Sequence, residues 1–266
     1  MLPLAQSSPA LHFGEMIASL MMYARPELEG AHRRFWRAIR ASLAVRDIPS
    51  PPELSQTAGE FSVWEDPALV FSQTCGMPYR TRLHDKVQIV CTPDYGLDGC
   101  PTGYYRSAIV VRKDDPRTEL PEFAKAQMAF NMSHSQSGFA ALYAHTQPLG
   151  FWFPNRIQSG GHLSSAEMIA QGNADIACLD VQTWRLIQRY EPMAAQLRVL
   201  EYTKPTPALP YITGPQHNPL VIYDALSEAF SKIDTTDREA LDLRGLVKID
   251  PSEYLAVANP PADAVL

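Results

Sequence analysis

The chain is 266 residues long, with 45% hydrophobic and 20% charged residues and a formal net charge of −6. That composition suits a globular protein with a sizeable core, and the negative balance excludes the basic face that a nucleic-acid binder uses. No stretch approaches the roughly 18 consecutive apolar residues of a membrane span, so direct membrane insertion is not expected.

The first residues, MLPLAQSSPALHFGEM, carry neither a basic leader nor a continuous apolar run, so either the protein is cytoplasmic or its true start lies upstream. Ile17–Tyr23 reads as a short buried strand. Pro26 opens a helix, and Leu28–Leu43 places Phe35, Trp36, Ile39 and Leu43 at helical spacing. Asp47–Pro52 is a proline-rich break, and Pro67–Ser72 is a strand running into the turn at Cys75–Gly76. Val87–Thr92 is a continuous apolar, β-branched run suited to a strand covered on both faces. Tyr95–Gly103 is a glycine-containing loop, and Tyr104–Lys113 is a second strong strand. Glu119–Lys125 is a turn or short helix, and Met128–Asn131 is a strand.

Gln136–His145 and Leu163–Gln171 are predicted helices, the latter ended by Gly172. Ala174–Leu179 is a strand that leads into a helix over Asp180–Tyr190. Leu197–Thr203 and Tyr211–Thr213 are strands flanking an extended link at Pro205–Pro210. Pro219–Ile233 and Thr236–Leu241 are helical, and the remainder packs as a tail. Strands alternate with helices throughout, which gives an α/β class.

Three segments carry chemistry. Ser133, Ser135 and Ser137, with Gln136 and Gly138, lie between a strand and a helix. A helix start leaves backbone N–H groups unpaired. One serine suffices to cap them; several can join them in cradling an anion, with Gly138 allowing close approach. His162 follows two glycines that can turn its imidazole into a cleft, or it is a satisfied surface or cap residue. Asp180 directly follows an apolar strand, where ligands of open α/β sheets bind, and its alternative role is a helix N-cap. Ser72–Tyr79 offers neutral hydrogen-bonding groups after a strand, or is simply a polar turn. The four cysteines, Cys75, Cys91, Cys100 and Cys178, form no CxxC pair and no zinc-spaced cluster, so neither metal nor cofactor is expected. They read as buried free thiols or, in an oxidising compartment, as a Cys75–Cys100 disulfide plus two thiols.

In order along the chain, MMY, SQTCGMPY, VQIVCTPDYGLDGC, YYRSAIVV, FNMSHSQSG, SGGHLSSAEMIAQGNADIACLD and YTKPTPALP resemble the phosphate/phosphite/phosphonate substrate-binding proteins of ABC transporters. The resemblance runs from about Ile17 to Pro210. It implies a type 2 periplasmic-binding-protein fold of two lobes, each a sheet flanked by helices, joined by two hinge strands near Ser107–Arg112 and Leu200–Pro207. Lobe one would be residues 1–108 plus 206–266, and lobe two residues 109–205. It implies that Ser135, Gln136, Ser137 and Gly138 hold oxyanion oxygens, that His162 donates to one of them, and that Asp180 meets a ligand ammonium. Tyr23, Gln73, Thr74 and Tyr105 would contribute from the first lobe and the hinge. The function implied is capture of a small phosphonate- or phosphate-like anion by a monomer, with a transporter permease as partner and a periplasmic location. The alternative is an enzyme of cofactor-precursor metabolism, or a cytoplasmic sensor, on the same fold, with His162, Cys75 and Asp180 enlisted as acid, base or nucleophile. Neither GxxxxGK[ST] nor GxGxxG occurs, which argues against a nucleotide-phosphate site.

Overall fold

The structure, a computed structural model, describes residues 16–265. Twelve strands are present among them: β1 Ile17–Ser19, β2 Leu69–Gln73, β3 Gln88–Asp94, β4 Tyr104–Tyr105, β5 Ser107–Arg112, β6 Gln127–Phe130, β7 Asn155–Gln158, β8 Ile176–Asp180, β9 Leu197–Tyr202, β10 Thr206–Pro207, β11 Tyr211–Thr213 and β12 Gly245–Val247. They form two mixed five-stranded sheets, ordered β1-β2-β11-β3-β12 and β7-β6-β8-β5-β9, with the antiparallel pair β4/β10 as a separate ribbon. The chain crosses from the first sheet to the second at Arg106 and returns through Thr203–Pro205. Each sheet is flanked by helices, the two-lobed α/β arrangement of a type 2 periplasmic binding protein.

Both sheets are covered on both faces, and the period of two along a strand explains why. In β5, Ile109 and Val111 enter one core cluster with Phe123, Phe139 and Phe153, whereas Ala108 and Val110 enter another with Ile169 and Trp184. β8 divides identically, Ile176 and Cys178 against Ala177 and Leu179. In the first sheet, the helices Glu29–Ala44 and Pro219–Lys232 pack together over Phe71 and Tyr211, burying Phe35, Trp36, Ile39 and Leu226. The predicted stripe of Phe35, Trp36, Ile39 and Leu43 is at most 1% exposed throughout. At about 1.5–3 kcal/mol for each large apolar side chain, this stripe anchors the helix.

Several elements differ from the sequence reading. The first strand stops at Ser19, and Met21–Tyr23 is a 3₁₀ turn, which swings Tyr23 off the sheet edge. Tyr104–Lys113 is not one strand. It breaks at Arg106, because Tyr104–Tyr105 pairs with β10 while Ser107–Arg112 pairs with β8 and β9. The start of the Gln136–His145 helix is a π-helical turn over Gln136–Ala140, continued by α-helix over Ala141–Thr146. β7, β12 and a short helix at Glu60–Trp64 are additional. Cys75, Cys91, Cys100 and Cys178 are all free thiols, so the Cys75–Cys100 disulfide does not form here. No described helix is long and apolar enough to cross a membrane.

Candidate functional site

A cleft of about 240 Å³ lies between the sheets, where β6 and β8 end. The second sheet supplies Asn131, Ser135, Ser137, His162 and Asp180 to its walls, and the first lobe supplies Met21, Met22, Tyr23, Glu60, Cys75 and Leu209. Among the described residues, neither lysine nor arginine lines it.

Ser135 takes the role of a conventional cap. Its backbone is extended, and its Oγ accepts from the Gly138 N–H at 3.0 Å. Ser137 is therefore the hydroxyl left over from capping, and its Oγ lies 2.9 Å from His162 Nε2. His162 opens the helix His162–Ala170 after Gly160, whose φ of +87° is accessible to glycine at no strain. The imidazole is buried, and burial pulls its pKa down to about 4, so it is neutral near pH 7. Its Nδ1 has no hydrogen-bond partner.

Gly138 is required by packing. A Cβ there would stand 1.9 Å from Asn131 Oδ1 and 3.1 Å from His162 Cε1. Only glycine lets Asn131 and His162 close over this helix start. Gln136 donates its backbone N–H to Cys75 Sγ at 3.4 Å across the lobes. Its side chain turns away from the cleft, into a groove on the other side of the hinge lined by Ala140, Ala144, Thr203 and Val257.

Asp180 lines the same cleft. It caps the helix Val181–Tyr190, accepting from Thr183 N at 2.9 Å, and its second oxygen accepts from the Tyr23 hydroxyl at 3.0 Å. Burial raises its pKa to about 6, despite those donors. Tyr23 packs edge-on against Tyr95 at 5.2 Å, and its phenol is pushed up by burial and by the Asp180 charge. A second acid, Glu60, meets His134 Nε2 at 3.1 Å across the cleft.

The other expected residues stand outside the cleft lining. Gln73 donates to Leu209 O at 3.0 Å and to Tyr95 OH at 3.1 Å, bracing the first-lobe wall. Thr74 is fully buried beside Cys75. Tyr105, in the hinge ribbon, is 1% exposed, with its hydroxyl buried and without a hydrogen-bond partner. The sequence reading missed Glu60, Asn131 and His134. Glu60 sits on a helix with no periodic signal, while His134 lies inside the serine cluster and could have been weighed there. Among the described residues, no group of three His, Cys, Asp or Glu is placed to hold a metal ion.

A family model described as the periplasmic substrate-binding protein of phosphonate ABC transporters matches residues 73–254. The chain belongs to that family. No curated protein matches the sequence. Solved structures share the fold at low identity. PhnD1 of Prochlorococcus marinus, in complex with methylphosphonate, is 14% identical with a TM-score of 0.68, covering 90% of this chain and 93% of its own. A binding protein component of an ABC phosphonate transporter from Pseudomonas aeruginosa is 12% identical with a TM-score of 0.68, covering 90% and 82%. An ATP-bound protein of Xanthomonas citri is 15% identical with a TM-score of 0.66, covering 90% and 93%. Phosphonate-family proteins are substrate-binding components, and a solute-binding role follows for this chain.

Proposed function

We propose that the cleft captures a small oxyanion of the phosphonate class that carries an amine, and delivers it to an ABC transporter permease. The observation that carries the reading is that one cleft is lined by groups of opposite preference. Ser137 and His162 stand at two helix starts, the Asp180 carboxyl is held by the Tyr23 hydroxyl, and among the described residues no lysine or arginine lines it. A bare dianion would meet two carboxyl groups, Glu60 and Asp180, with no lysine or arginine among the described lining residues to offset them. A zwitterion meets complementary groups at both ends. Ser135, Gln136 and Gly138 serve by shaping the helix start, and Gln73, Thr74 and Tyr105 by bracing the walls. Residues 1–108 with 206–266 would act as one moving body and 109–205 as the other, in a monomer whose hinge closes over the ligand. The relatives carry ligands as different as methylphosphonate and ATP, so the side chains, not the fold, must decide.

Isothermal titration with 2-aminoethylphosphonate, methylphosphonate, phosphate and sulfate tests this. 2-Aminoethylphosphonate should bind at least tenfold tighter than methylphosphonate, with the preference lost in Asp180→Asn. Equal or weaker binding of the amine-bearing compound would sink the zwitterion reading.

One observation favours an enzyme: Ser137 Oγ and His162 Nε2 are 2.9 Å apart, as in a nucleophile–base pair. The imidazole is nevertheless a weak base at about 4, and its Nδ1 lacks the orienting acceptor of a working triad. Hydrolysis of p-nitrophenyl acetate should be unchanged in Ser137→Ala; a Ser137-dependent burst would favour catalysis.

A further inference from the structure

Besides the two hinge crossings, the chain passes between the lobes a third time. The helix Pro251–Leu255 belongs to the first lobe: Tyr254 is 1% exposed in the cluster of Trp64, Leu69 and Ile212, and its hydroxyl donates to Ala208 O at 2.8 Å. Just beyond it, the buried Arg80 guanidinium donates to Asn259 Oδ1 at 2.6 Å and to Ala258 O at 3.3 Å. Five residues later the chain is in the other lobe. Ala264 is 4% exposed within the second-lobe cluster of Leu142, Phe139 and Phe153, and its carbonyl accepts from Trp152 Nε1 at 3.0 Å. Trp152 is itself fixed edge-on against Phe139 at 5.4 Å and Tyr143 at 5.1 Å.

The span between the anchors has little slack. Pro260 and Pro261 fix two of its φ angles, and a 3₁₀ turn from Ala262 shortens it further. Five steps reach at most about 17 Å when fully extended. Lobes that swing about the Arg106 and Thr203–Pro205 crossings must either keep this segment short or release one end. The two ends are unequal. Among the described residues, the first-lobe end is held by a buried guanidinium and a buried tyrosine, the second-lobe end by one alanine and one neutral hydrogen bond.

We propose that residues 256–264 form a releasable strap that holds the lobes closed, and that its Ala264 end lets go when the cleft opens. The strap acts before any ligand arrives: it biases the empty protein toward the closed arrangement. Its release is the step that admits solute.

Fluorescence resonance energy transfer between dyes on genetically encoded ketone residues at Val45 and Ile157, 79% and 40% exposed on opposite lobes, reads the opening without any ligand. The labelled full chain should give one dominant population. Trp152→Phe, which removes the donor along with part of the ring that packs on Phe139 and Tyr143, should raise the separated population at least about fivefold, the equivalent of one neutral hydrogen bond. Ala264→Asp, which places a carboxylate in an apolar cluster, should make that population dominant. A chain ended after Asn259, keeping the Arg80 grip and the helix Pro251–Leu255, should match Ala264→Asp. If the shortened chain folds and keeps the full chain's distribution, the strap does nothing and the proposal fails. If it does not fold, an unchanged distribution in Trp152→Phe with faster hydrogen exchange over 259–264 has the same force. Because no solute is present, neither result bears on what the cleft binds.

Discussion

Asp180→Asn separates what the cleft acid does for stability from what it does for binding. The carboxyl is 2% exposed, and burial lifts its pKa from 3.8 to about 6. Its folded-state value is raised, so the contribution to stability is fully present below pH 3.8 and is lost as pH rises to about 6. In that window the folded protein retains a proton that the unfolded chain has given up, and stability falls by at most 1.36 kcal/mol per pH unit. Over the whole interval the loss is about 3 kcal/mol, and above pH 6 it stays constant. Asparagine has nearly the same shape and never ionises; its oxygen can still accept from Thr183 N, while its NH2 takes the place of the oxygen that met the Tyr23 hydroxyl and can donate to it. The variant should therefore match the wild type near pH 4 and be more stable by about 2–3 kcal/mol at pH 7.5, less whatever the cap loses. Urea denaturation at half-unit steps from pH 4 to pH 8 measures the difference directly. A difference that stays flat across this range would mean that the acid is not burdened by burial, and the reasoning fails. In the same variant, affinity for 2-aminoethylphosphonate should drop, so that the more stable protein is the poorer binder.

Ser137→Ala should weaken phosphonate binding by roughly 10–100-fold, the worth of a hydrogen bond to a charged group, with melting temperature nearly unchanged by calorimetry. Gly138→Ala should destabilise by about 1–3 kcal/mol in urea titration, because its methyl meets Asn131 Oδ1, and Asn131→Ala should restore part of that loss. His162 is held neutral by burial, so its stabilising contribution is complete above pH 6.5 and is lost as pH falls toward about 4. An oxyanion beside it should raise that value, which nuclear magnetic resonance titration of the ring proton with and without methylphosphonate will read. Iodoacetamide should alkylate the half-buried Cys100 first in the native protein, with Cys75, Cys91 and Cys178 reacting only on unfolding, as mass spectrometry of peptides can follow.

Much of this fold was legible because the covered strands announce themselves. The IVC of β3, the AIVV of β5 and the IACL of β8 are unbroken apolar runs, and those runs arise only where helices cover both faces of a sheet. β7 is the opposite case. Asn155–Gln158 is a largely exposed edge strand, and polar edge residues carry no alternation to read. β12 is three residues long, and its partner β3 lies far upstream, so nothing local marks it. At the cleft, Ser137, His162 and Asp180 were found because each follows a turn or strand end in a recognisable phrase. Gln73, Thr74 and Tyr105 share those phrases, but their side chains are spent on the walls. Asn131 directly follows the end of β6 and was legible by the same rule that found Asp180, whereas Glu60 reaches the cleft only through the way the lobes meet, and no stretch of sequence records that.

The helix that Asp180 caps begins in the second lobe, yet Leu186 is 1% exposed in the first-lobe cluster, with Val181 and Tyr190 packed beside it. Parting the lobes must wet that face. Opening should therefore carry a positive heat-capacity change of about 0.45 cal/mol/K per Å² of apolar surface uncovered. Solute capture that draws an open protein shut should show a heat-capacity decrease larger than so small a solute could produce by its own burial. The temperature dependence of the binding enthalpy thus becomes a gauge of how much of the resting population is open.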